Sequence, residues 1–128
     1  MELLFDKSLV VEILLQIMIA CDRVLKRFEG ILTAEDFLFD EYGLEKLDSI
    51  CMQLIAIGES LKKLDKATNQ ELLAKYPSTE WKKAMGLRDI ISHHYFDINA
   101  EVIYDVCKNE IPNLRKAICA IIDDVNKQ

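Results

Sequence analysis

Between Lys7 and Phe28 the apolar residues Val10, Ile13, Leu14, Ile17, Met18, Cys21, Val24, Leu25 and Phe28 recur at intervals of three and four. That spacing places side chains on one face of an α-helix and cannot serve a strand, whose faces alternate every residue. The rhythm returns from Leu44 to Leu64, where Leu47, Ile50, Leu54, Ile57, Leu61 and Leu64 repeat almost as a heptad. A seam this regular suits packing against an antiparallel helix. Four glycines and two prolines in 128 residues leave little material for loops. The expectation is one all-α domain over residues 1–128, an up-and-down bundle of four or five helices.

Local signals set the expected boundaries. Gly30 is a natural stop for the first helix, and "TAED" reads as a capping box opening a short turn from Thr33 to Phe39. Gly58 lies inside the second helix, where glycine costs about 1 kcal/mol against alanine; close approach of another backbone is one reason to keep it. "NQELLAKYP" predicts a short helix ending before Pro77, and Ser78 or Thr79 a cap for a helix from Trp81 toward His93 or Tyr95. Asn99 is a candidate cap for another helix, and Pro112 marks a fresh start, with the final helix reaching about Val125 and the last element kinked.

The apolar N-terminal run is interrupted by Glu12 and Gln16, so it is too broken to span a bilayer and does not read as a signal peptide. Cys21, Cys51, Cys107 and Cys119 fall within helical patterns without metal-ligand spacing and read as buried, reduced thiols. A cytoplasmic location follows. The net charge is −6, carried by residues 1–80 with fifteen acids and nine bases, while residues 81–128 hold seven of each. An acidic chain is a poor nonspecific ligand for nucleic acid, because neutralised phosphates supply most of that affinity. Contact with nucleic acid then needs a local basic patch or a partner.

The stretch "RDIISHHYFDIN", residues 88–99, stands apart, because it holds both histidines of the chain beside an arginine and a tyrosine. On a continuous helix Asp89 and His93, four apart, can meet, so the carboxylate can orient the imidazole. Arg88 and His93 differ by about 140° in azimuth and do not aim at one ligand. Either the helix unwinds near Ser92, or the site forms between two chains. An arginine offers permanent planar donors for phosphate and a histidine exchanges protons near neutral pH. Together they suit cleavage of RNA without metal or other cofactor. The ribose 2′-hydroxyl attacks, His93 serves as base or acid, and Arg88 stabilises the charged phosphorane. DNA lacks that hydroxyl. Taken on spacing alone, a structural arginine and histidine explain the pattern better than catalysis does.

"RDIISHHY" resembles the signature of the HEPN superfamily, an arginine, a polar residue, three more and then a histidine, and the tyrosine two residues later resembles the HepT branch. "LIAIGESLKKL" and the segment from "KYPSTEWKKAMGLRDIISHHYFDIN" through "EIPNL", with Trp81, Gly86, Leu87 and Pro112, are similar to that branch too. The resemblance covers about residues 44–122. It implies a homodimeric ribonuclease toxin with a composite cleft, Arg88 and His93 as the catalytic pair, Asp89 at the polar position, and Tyr95 as the residue modified by AMP. It implies a minimal nucleotidyltransferase antitoxin (MntA-like) that silences the toxin by that modification, as in a type VII-like pair. His94 falls at a variable position and receives no role. The alternatives are a non-catalytic partner that binds a nucleotide or a nucleotidyltransferase, and a plain helical interaction protein.

Some surface features stay outside the motif. Glu29 to Asp48 holds seven acids and one base, a solvated face or a docking face for a basic partner. Lys62, Lys63 and Lys66, or Lys82 and Lys83, are guides for RNA or ordinary solubilising residues. Trp81 and Tyr104 are candidates to stack on bases, with core packing the simpler role for the tryptophan.

Overall fold

The computed structural model describes residues 5–93 and 98–128, with the backbone alone at 92 and 93. Helix α1 runs from Lys7 to Phe28, as its periodicity predicts. Asp6 caps it by accepting from the Leu9 amide at 3.2 Å, and Gly30 ends it at φ +86°, a left-handed geometry open to glycine. Its stripe Val10, Ile13, Leu14, Ile17, Cys21 and Val24 is buried between α2 and α6.

Helix α2 spans Glu41–Ala67, three residues longer at each end than the apolar repeat. The extension follows from capping, since the Asp40 carboxylate accepts from the Gly43 amide at 2.8 Å. Leu47, Ile50, Leu54, Ile57, Leu61 and Leu64 all point into the core, each side chain worth about 1.5–3 kcal/mol of burial. Between α1 and α2 the "TAED" turn is a short 3₁₀ segment, Ala34–Phe37. Asp36 closes it by accepting from the Leu32 and Thr33 amides.

The third quarter of the chain differs from expectation. "NQELLAKYP" forms a left-handed turn at Asn69 and Gln70 and only a 3₁₀ turn, Leu73–Lys75; Leu72 and Leu73 are buried and pin it. The helix expected from Trp81 is two helices, α3 (Trp81–Met85) and α4 (Leu87–His93), separated at Gly86. Neither Ser78 nor Thr79 caps α3; Glu80 holds that position without a side-chain bond. Trp81 is anchored instead by its buried ring and by its indole N–H, which donates to the Tyr76 carbonyl at 2.9 Å. Core packing is thus its role, and base stacking is not.

Asn99 caps α5 (Ala100–Asp105) by accepting from the Glu101 and Val102 amides, as expected. Pro112 stands in the first turn of the last helix, as expected of a fresh start. Helix α6 (Ile111–Asn126) continues from α5 through a π turn, Val106–Glu110. Proline has no N–H to return to Lys108, and the Ile111 amide reaches back five residues to Val106. A wider turn absorbs the missing donor. Among the described residues every regular element is helical, and none of these helices is long and apolar enough to cross a membrane. Three cysteines are buried as expected, but Cys119 is exposed, because one residue past buried Ile118 the helix has turned about 100° outward.

Candidate functional site

The placement of Arg88 starts at Gly58. A Cβ built on Gly58 would lie 3.2 Å from the carbonyl oxygens of both Ala84 and Met85, and 3.7 Å from the Arg88 amide nitrogen. The backbone approach inferred from the glycine is therefore real, and its partner is the α3–α4 junction. Gly86 then starts α4, its carbonyl accepting from the Asp89 and Ile90 amides. Leu87 and Ile91, one turn apart, are buried and fasten α4 to the bundle. Residues 88–90 are left facing solvent.

The Arg88 guanidinium lies 3.3 Å from Glu59 Oε1, with the two side chains 55% and 45% exposed. Lys62 approaches the same carboxylate oxygen at 3.9 Å. An ion pair this exposed is worth about 0.2–1 kcal/mol. It orients the guanidinium without locking it, and among the described residues the other guanidinium N–H groups stay available to an anion. Sequence reasoning assigned no role to Glu59, although it sits in "LIAIGESLKKL". The available signal was its position next to Gly58; that this glycine faces the arginine's helix is a tertiary fact.

Helix α4 is continuous through His93, so it does not unwind near Ser92. Five helical steps then keep Arg88 and His93 about 140° apart around one axis. Asp89 is exposed on the same helix. Its expected contact with His93, and the positions of His94 and Tyr95, lie outside the described residues and side chains. A cleft of about 590 Å³ between α3 and α6 is lined by residues including Lys83, Leu87, Glu110 and Leu114, and Arg88 takes no part in it. Among the described residues Arg88 lies on an open surface.

The other polar candidates separate. Lys62 belongs to the Arg88 cluster through Glu59. Lys83 instead bridges α3 to the π turn by pairing with Glu110, a hydrogen bond that also raises its own pKa. Tyr104 is a structural residue, its ring 5.2 Å from that of Phe28 and its hydroxyl donating to the Leu32 carbonyl at 2.8 Å.

Comparison with known proteins bears directly on the motif. The family model described as "Ribonuclease HepT-like" matches residues 17–121. A protein of Methanocaldococcus jannaschii named "Putative RNase MJ0127" is 36% identical over 105 residues, covering 80% of this chain and 84% of the relative. "Putative RNase TTE0752" of Caldanaerobacter subterraneus subsp. tengcongensis is 32% identical, with coverage of 80% and 84%. "Probable ribonuclease HepT" of Thermococcus cleftensis is 25% identical over 72% of this chain and 77% of its own. No solved structure gives a significant match. The all-helical bundle, the glycine-seated motif helix and the span of these matches lead to one conclusion: the chain belongs to the HepT-like ribonuclease family.

Proposed function

We propose that this protein is a metal-independent RNA endonuclease, the toxin of a toxin–antitoxin pair, and that its active unit is a homodimer. The observation that carries the reading is the exposed, Glu59-oriented guanidinium of Arg88 on a helix that continues to His93. In the reaction the 2′-hydroxyl attacks the adjacent phosphorus as an imidazole of His93 takes its proton. Arg88 neutralises the phosphorane. The 5′-oxygen leaves with a proton from a second acid, giving a 2′,3′-cyclic phosphate and a free 5′-hydroxyl. A dimer supplies what one helix denies, an arginine and a histidine facing each other across a shared groove. DNA resists for want of the nucleophile. Asp89, four residues before His93, would orient its ring in this reading.

Regulation belongs to the same proposal. Tyr95, two residues beyond His93, is the acceptor for AMP transferred by a minimal nucleotidyltransferase antitoxin. Each added phosphate brings negative charge toward Arg88 and occupies the space that RNA needs. Purified protein in EDTA is expected to cut RNA. Arg88→Ala and His93→Ala are each expected to abolish cutting with helical circular dichroism unchanged. If wild type and both variants treat RNA alike, the chain is instead a non-catalytic binding partner.

A further inference from the structure

The corner between α1 and α2 displays an unusual amount of apolar surface. Phe39 is 85% exposed, Leu32 78%, Tyr42 67% and Leu38 57%. Isolated exposed apolar residues are ordinary, but four large ones within eleven positions make a patch. Phe39 precedes the Asp40 cap of α2, the position from which an apolar residue commonly folds down onto the first turn. Its exposure shows that it declines that local role.

The corner beneath the patch is tightly built. Phe37 is fully buried, its ring centroid 6.2 Å from that of Phe28. Tyr104 donates to the Leu32 carbonyl, and Asp36 accepts from the Leu32 and Thr33 amides. A Cβ on Gly43 would come within 2.2 Å of the Asp36 carbonyl, so the turn is seated directly on α2. Lys46 is tied down at the edge of the patch, donating to the Arg27 and Glu29 carbonyls at 2.8 Å each with its ammonium 5.1 Å from the centre of the Tyr42 ring. The same stretch carries the exposed carboxylates Glu29, Glu35, Glu41, Glu45 and Asp48, against the cations of Lys46, on the Tyr42 ring, and Lys108, at 5.7 Å from the Tyr104 ring. A rigid apolar platform with an anionic rim is preorganised for binding.

We propose that this corner docks a cationic amphipathic helix of a partner protein. RNA is the wrong occupant, because its phosphates would meet the rim. A second copy seated patch to patch is disfavoured as well, because it would set acid against acid in a chain of net charge −6. A basic helix places leucine-like residues on Phe39, Leu38 and Tyr42 and its lysines on the surrounding carboxylates. The platform lies about 24 Å along α2 from Gly58, sixteen residues at 1.5 Å each. A docked helix there leaves Arg88 uncovered, and the proposal stands independently of the nuclease reading.

The test is an NMR titration of the isotope-labelled full chain with a synthetic helical peptide of leucine and lysine at three-four spacing. The same peptide with glutamate for lysine, and a single-stranded RNA, serve as comparators. The lysine peptide is expected to shift the amides of residues 32–48 saturably and less tightly as salt rises. Phe39→Ser combined with Tyr42→Ser is expected to weaken binding about tenfold, with helicity and sedimentation unchanged. Shifts centred elsewhere, equal binding of the glutamate peptide, or RNA shifts at residues 32–48 would each overturn the proposal. A changed oligomeric state in the double variant would also overturn it, assigning the patch to a second copy of the chain.

Discussion

At Arg88 the useful property is a guanidinium held loosely. Glu59 touches it at 3.3 Å while both groups remain about half in water, so an incoming phosphate competes, among the described residues, with one weak ion pair. Charge alone is not enough for a planar two-oxygen contact. Arg88→Lys is expected to keep the fold and lower RNA cleavage at least about tenfold, since lysine lacks the fork; a gel-based cleavage assay beside a melting curve checks both. The cysteines divide in a comparable way by environment. Burial, the largest cause in each case, pushes Cys21, Cys51 and Cys107 from the ordinary 9.0 to about 12. Below pH 9 these thiols are protonated in both folded and unfolded chains and add no slope. As pH rises from 9 toward 12 the unfolded chain releases protons that the folded chain holds, so stability falls. Urea unfolding at pH 8 and pH 10 is expected to show that loss. A thiol reagent at neutral pH is expected to label Cys119 promptly and the other three only after unfolding.

Among the elements, α1 and the core of α2 follow from their apolar repeats, while α3, α4 and the π turn do not. A glycine within a helical pattern gives no sign of whether the helix continues, and Gly86 interrupts one where Gly58 does not. The two glycines work together. Gly58 lets the carbonyls of Ala84 and Met85 sit against α2, and Gly86 allows α4 to set off from that seat carrying Arg88. Gly58→Ala brings a methyl group to 3.2 Å from two backbone oxygens. The gain in helix propensity, about 1 kcal/mol, is opposed by overpacking of about 1–3 kcal/mol. A net loss of stability of about 1 kcal/mol is expected on thermal unfolding, with a larger proportional loss of cleavage because the arginine's seat moves. A variant as stable and as active as wild type would show that α3–α4 yields freely there.

For the molecule as a whole, a site shared between chains makes a prediction that a site within one chain cannot. Arg88→Ala and His93→Ala are each expected to be inactive alone. Mixed and allowed to exchange, half the dimers become heterodimers, and one of the two shared sites in each regains both groups. Activity is then expected to return to about a quarter of wild type. No recovery on mixing, with exchange verified by mass spectrometry, would place the pair within one chain. The sequence by itself determined the helical class, the first helix and the buried faces of both long helices, because each is a matter of nearby spacing and residue chemistry. Only the tertiary structure decided that Glu59 meets Arg88 across 29 positions, that Gly58 faces Ala84, and that Phe39 stays in water while Phe37 beside it is buried. Those outcomes depend on which helices pack together and how closely, and that is set by the whole core at once.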